Sequence, residues 1–182
     1  MQTELIISGF GGQGVLFAGQ LLSYAAMDAG LEVTWIPSYG PEMRGGTANC
    51  TVIISDQEIG SPLVKNPTAV IAMNLPSLDK YEHVVASNGV FVVNTSIIQR
   101  KPERTDVRWV MVPGNKIAED LGDRRMTNMV MLGALLASLP VLSLEALEKS
   151  LAAHLPERHH KLLPLNYQAL RKGAEYAVEK VG

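Results

Sequence analysis

The sequence predicts an α/β fold: a single-domain, Rossmann-like, mainly parallel twisted sheet with helices on both faces, spanning residues 1–182. Three observations predict it. Short apolar runs rich in β-branched residues alternate along the chain with segments of helical apolar spacing. A glycine-rich turn joins the first run to the first helical segment. At 182 residues and 47% hydrophobic side chains, the chain can bury roughly 70% of its unfolded surface around one core.

Strands are expected at 5–8, 33–37, 48–55, 69–73, 90–94 and 108–112, where β-branched runs are bounded by Gly, Pro, Asn or Asp. Residues 15–29 place Leu16, Ala18, Leu21, Leu22, Ala25, Ala26 and Ala29 on one helical face, and Gly30 stands where a C-cap glycine is wanted. Further helices are expected at 116–121, 128–139, 144–153 and 167–181. The second of these is apolar nearly all round and reads as buried; Ser143 is placed to cap the third. The Met-rich and Ala-rich helices also suggest apolar surface left over for packing against a partner chain.

Charge and composition exclude several classes. The formal charge is -2 and the basic residues are scattered, so nucleic acid is not an expected partner. No apolar run reaches the roughly 20 residues that cross a bilayer and no basic leader opens the sequence, so a cytoplasmic protein without membrane contact is expected. The lone Cys50 cannot close an internal disulfide or supply the roughly four ligands of an iron-sulfur cluster, and it reads as a core residue. His154, His159 and His160 lack ligands at metal spacing and read as a solvated helix end; Ser8 is not in a G-x-S-x-G turn.

Two glycine-rich segments remain. Gly9, Gly11, Gly12, Gln13 and Gly14 form G-x-G-x-x-G directly after a strand and before a helix, where free N–H groups favour a phosphate or carboxylate. The same glycines also suit a tight turn and close helix packing without a ligand, and spacing leaves both readings open. A standard NAD site is disfavoured because 33–39 carries no acid for the ribose, Asp28 and Glu32 lying at the wrong end. A P-loop is excluded by Val15-Leu16 where Lys and Ser or Thr belong. The second segment, with Ser38, Tyr39, Gly40, Arg44, Gly45 and Gly46, leaves the second strand at its carboxyl end and should face the same crevice. In it Arg44 offers a guanidinium that could grip an anion or pair with a neighbouring carboxylate.

The runs GFGGQGV at 9–15, SYGPEMRGGTANC at 38–50, TNMVMLGAL at 127–135 and LPLNYQALRKG at 163–173, in this order, resemble the gamma subunits of 2-oxoacid:ferredoxin oxidoreductases. Phe10 and the intact YGPEMRGG loop resemble the 2-oxoglutarate branch. The resemblance implies a chain inactive alone, with no catalytic residue and no cofactor of its own. Its alpha and beta, possibly delta, partner subunits would carry thiamine diphosphate and the iron-sulfur clusters that pass electrons to ferredoxin. It further implies that this subunit helps bind coenzyme A and close the active site, with Gly9, Gly11, Gly12, Gln13, Gly14, Ser38, Tyr39, Gly40, Arg44, Gly45 and Gly46 as the contacting set. A free-standing nucleotide-binding oxidoreductase and a purely structural subunit are the alternatives.

Overall fold

A computed structural model describes residues 1–40 and 46–181. Its centre is one six-stranded sheet: β1 (Gln2–Phe10), β2 (Glu32–Tyr39), β3 (Thr47–Ser55), β4 (Ala69–Ala72), β5 (Val90–Asn94) and β6 (Arg108–Val112), in the order β2-β3-β1-β4-β5-β6. All six expected strands form. β1, β4, β5 and β6 pair in parallel, whereas β3 is antiparallel to both β1 and β2. The expectation of a mainly parallel sheet therefore holds, with one reversed strand wedged between β1 and β2. The reversal follows from chain length: only residues 40–46 join β2 to β3, too few for the dozen or so a parallel crossover requires.

Alternation along the strands assigns the faces. Leu5 and Ile7, Cys50 and Val52, Ile71, Val92 and Val110 point into the larger core, while Ile6, Val70, Phe91 and Val93 point into the smaller one. The larger core is covered by α1 (Val15–Asp28), α3 (Gly114–Asp120), α4 (Thr127–Ser138), α5 (Leu144–His154) and α6 (Leu163–Val181). Among the described residues, only the short α2 (Leu75–Tyr81) is a helix covering the other face, so helices do lie on both faces but very unequally. α2 escapes the sequence pattern because it is barely two turns long; Asn74 fixes it, accepting the Ser77 N–H at 3.0 Å.

α1 ends as its sequence suggests. Gly30 has φ +78°, its N–H donates to Met27 C=O at 2.9 Å, and the Leu31 N–H reaches Ala26 C=O at 3.0 Å, the paired bonds of a Schellman cap. α4 is buried on all sides, with Met129, Val130, Met131 and Leu132 fully covered. The apolar surface of α4 is consumed inside, between the sheet and α6, and Ala18, Ala25 and Ala26 of α1 are equally buried, whereas Met27 of α1 and Val178 of α6 stay exposed. Among the described residues, no helix is long and apolar enough to cross a membrane.

Candidate functional site

The glycine turn sits at the carboxyl end of β1, beside that of β4, where the chain's path through the sheet changes direction. Open α/β sheets form crevices there. Gly9 is buried, and a Cβ on it would run into Gln13 and Met73. Gln13 braces the turn from within, its Oε1 accepting the Phe10 N–H at 2.6 Å and its Nε2 donating to Met73 C=O at 3.3 Å. Gly12 has φ +95° with open space where a side chain would project, so its backbone geometry, not crowding, selects glycine. Gly14 has φ +72°, and a Cβ there would strike the Asn128 amide, whose Nδ2 donates to Gly14 C=O at 3.2 Å.

Gly14 also caps α1, and a glycine cap supplies no side-chain acceptor for the first turn. The Val15, Leu16 and Phe17 N–H groups therefore have no intrahelical partner, and these residues help line a hollow of about 300 Å³ together with Phe10, Gly11, Gly12, Tyr39 and Ala48. On the other side of the turn lies a cleft of about 270 Å³ lined by Gly12, Gln13, Met73, Asn115, Arg124, Arg125 and Thr127. Asn115 is positioned by Asn94 at the end of β5, which donates to its Oδ1 at 3.0 Å.

Arg124 and Arg125 belong to the 3-10 turn Arg124–Met126, which leads directly into α4. Arg125 donates to Asp123 through Nε at 3.0 Å and Nη2 at 2.6 Å, and this pairing holds the Asp123 carboxyl below its ordinary range. Arg124 lies 3.6 Å from Glu119. Both guanidiniums remain largely exposed, so solvent screens these pairs and they can yield to a better-placed anion.

The two glycine-rich segments meet, as expected of a shared crevice: the Gly11 N–H donates to Gly46 C=O at 2.9 Å. Gly11, Gly12, Gln13, Gly14 and Tyr39 line the two hollows, while Gly9 supports them from below. Ser38 and Gly40 line neither; Ser38 pairs with Asn49 in the β2–β3 ladder and Gly40 packs on Thr47. Arg44 and Gly45 lie outside the described residues. Sequence reasoning missed Asn115, Thr127 and the bracing Asn128, and left Arg124-Arg125 among the scattered basic residues. The available signal was position: the arginine pair stands immediately before the TNMVMLGAL run.

Among the candidates set aside, Cys50 is fully buried in the core, where desolvation pushes its thiol up to about 11. His154 is more engaged than a solvated helix end: its Nε2 lies 3.1 Å from Asp28 Oδ2 and its ring stacks on Tyr24.

The sequence profile described as Pyruvate ferredoxin/flavodoxin oxidoreductase matches residues 4–176. The chain belongs to this oxidoreductase family. Among relatives in the family, ketoisovalerate oxidoreductase subunit VorA of Methanothermobacter thermautotrophicus is 38% identical across 99% of this chain and 37% of its own. The 2-oxoglutarate synthase subunit KorC of Methanocaldococcus jannaschii is 35% identical across 98% of this chain and 96% of its own. The chain thus spans about 37% of the length of VorA but nearly all of KorC. The crystal structure of the keto/oxoacid ferredoxin oxidoreductase gamma subunit from Geobacter sulfurreducens shares the fold with a TM-score of 0.84 and 31% identity, over 97% of this chain and 99% of that one. The 2-oxoglutarate:ferredoxin oxidoreductase of Magnetococcus marinus, solved with 2-oxoglutarate, coenzyme A and succinyl-CoA, shares the fold at TM-score 0.88 and 23% identity, over 98% of this chain and 31% of that one. The gamma-subunit resemblance carried by residues 9–15, 38–50 and 127–135 agrees with these matches.

Proposed function

We propose that this chain is the gamma subunit of a 2-oxoacid:ferredoxin oxidoreductase, of the 2-oxoglutarate type, and that its glycine turn holds a phosphate of coenzyme A. The observation that carries the reading is the side-chain-free cap of α1 at Gly14, which leaves the first N–H groups without a capping partner, with Arg124 and Arg125 lining the cleft on the other side of the turn. The match with KorC across 98% of this chain supports the substrate, and the coenzyme A bound to the Magnetococcus protein supports the ligand. Thiamine diphosphate and the iron-sulfur clusters would sit on alpha and beta, possibly delta, partner subunits, with ferredoxin as acceptor. Arg44, outside the described residues, would add a further guanidinium. A branched-chain 2-oxoacid is the second reading, favoured by the 38% identity to VorA.

The test uses the complex assembled with its partners. Gly12→Val places a branched side chain at a positive φ and in the space an anion would enter, so the apparent KM for coenzyme A should rise by about one to two orders of magnitude. Arg125→Ala should act in the same direction, with 2-oxoacid decarboxylation near normal in both variants. An unchanged coenzyme A constant in a folded, assembled Gly12→Val enzyme would reject phosphate binding by the turn.

A further inference from the structure

Asn94, the last residue of β5, is fully buried, and Asn115, the second residue of α3, is only 7% exposed. Amides at that depth persist where their hydrogen bonds are made, and here the partners dictate which way each amide turns. The Asn94 Oδ1 accepts the Gly114 N–H at 3.1 Å and the Ser96 N–H at 3.4 Å. A backbone N–H can only donate, so the oxygen must face these two groups and the Asn94 Nδ2 is left for α3. It donates to Asn115 Oδ1 at 3.0 Å.

The same constraint then passes to Asn115. With its oxygen drawn inward to Asn94, the Nδ2 becomes the outer end of the amide, and among the described residues nothing accepts from it. Asn115 lines the cleft beside the glycine turn together with Gly12, Arg124 and Arg125. An amide turned the other way would have the same shape but would offer the cleft an oxygen, which repels an anion. Two backbone N–H groups therefore set, through two side chains, whether this wall donates or accepts.

We infer that Asn94 is a positioning residue which, through Asn115, turns a hydrogen-bond donor into the cleft to meet the anion received there. This rests on the coenzyme A reading above and adds what decides the polarity of that wall. Asn94→Asp separates the role from simple anchoring. A carboxylate still accepts the Gly114 and Ser96 N–H groups, so β5 stays tied to α3, but it cannot donate to Asn115, whose amide must then turn its Nδ2 inward and its Oδ1 to the cleft.

In the complex assembled with its partners, Asn115→Ala removes the donor and should raise the apparent KM for coenzyme A about fivefold. Asn94→Asp exchanges donor for acceptor and should raise it about tenfold or more, neither variant showing a matching fall in kcat. In the Asn115→Ala background, Asn94→Asp should add nothing, because Asn94 acts only through Asn115. Additive effects would mean that the new carboxylate acts by itself and would overturn the relay, as would an unchanged constant in either single variant. Asn115→Asp keeps the bond from Asn94 and turns a second oxygen to the cleft; it should match Asn94→Asp, and it decides the question if Asn94→Asp does not assemble. Gly12→Val serves as the reference. If it raises the constant and the asparagine variants do not, the relay alone is rejected; if the asparagine variants raise it and Gly12→Val does not, the relay stands and the phosphate lies in the cleft instead of at the turn. If no variant moves the constant, the coenzyme A reading and the relay fall together.

Discussion

At the scale of single residues, glycine identity is set by three different causes, and each has its own outcome on substitution. Gly12 needs its positive φ, Gly14 needs both its φ and the absence of a Cβ against Asn128, and Gly19 lets α1 approach β3, where a Cβ would meet Cys50 and Trp35. Gly19→Ala should therefore lower stability by about 1 to 3 kcal/mol by overpacking, measured by urea unfolding, without changing coenzyme A dependence in the complex. Cys50, desolvated by the same close contact and with its thiol raised to about 11, should resist a thiol reagent at pH 8 and react only on unfolding. Rapid labelling of the native chain would contradict that burial.

At the scale of elements, the α4–α6 crossing governs the larger core. A Cβ on Gly133 would overlap Leu170 C=O, and one on Gly173 would overlap Val130 C=O, so the two helices touch backbone to backbone at reciprocal glycines. Gly133→Ala or Gly173→Ala must push the helices apart and should cost about 1 to 3 kcal/mol, seen as a Tm lower by roughly 3 to 10 °C. Gly60→Ala, where a Cβ meets nothing, is the control and should melt as the parent does. Because α4 begins at the 3-10 turn of Arg124 and Arg125 and carries Asn128, a shifted α4 should also displace the glycine turn, so coenzyme A dependence and melting should change together.

For the whole molecule, the thinly covered face of the sheet depends on a buried acid. Glu82 has no exposed side chain; burial opposes its charge, yet the Glu103 N–H at 2.6 Å and Arg100 Nη2 at 2.5 Å outweigh that and hold its carboxyl below the ordinary value of 4.5. These bonds tie the segment after β5 to the end of α2, where one short helix covers the smaller core. A carboxyl with a depressed folded pKa contributes stability in full above its unfolded pKa and loses it as pH falls through the folded value. Glu82→Gln should thus cost roughly 2 to 3 kcal/mol at pH 7, and the gap between variant and parent should close as the pH drops below about 4.5. A gap independent of pH would assign the loss to packing instead of charge.

Much of the architecture was legible from residue order alone. Strand runs, the α1 face, the Gly30 cap and the all-round apolar α4 are local patterns, imposed by side-chain periodicity and backbone sterics within a few residues, and the glycine motif was readable because it stood between a strand and a helix. Three things were decided only by the tertiary structure. Insertion of β3 between β1 and β2 depends on long-range pairing, and the use of α4's apolar surplus depends on which helix packs over it. The crevice itself is assembled from Gln13, Met73, Asn115 and Arg125, residues up to about a hundred positions apart, which no local spacing connects. Sequence fixes what each segment prefers to be, because propensity and periodicity act over a few residues; packing fixes which segments meet, because burial is a property of the whole chain.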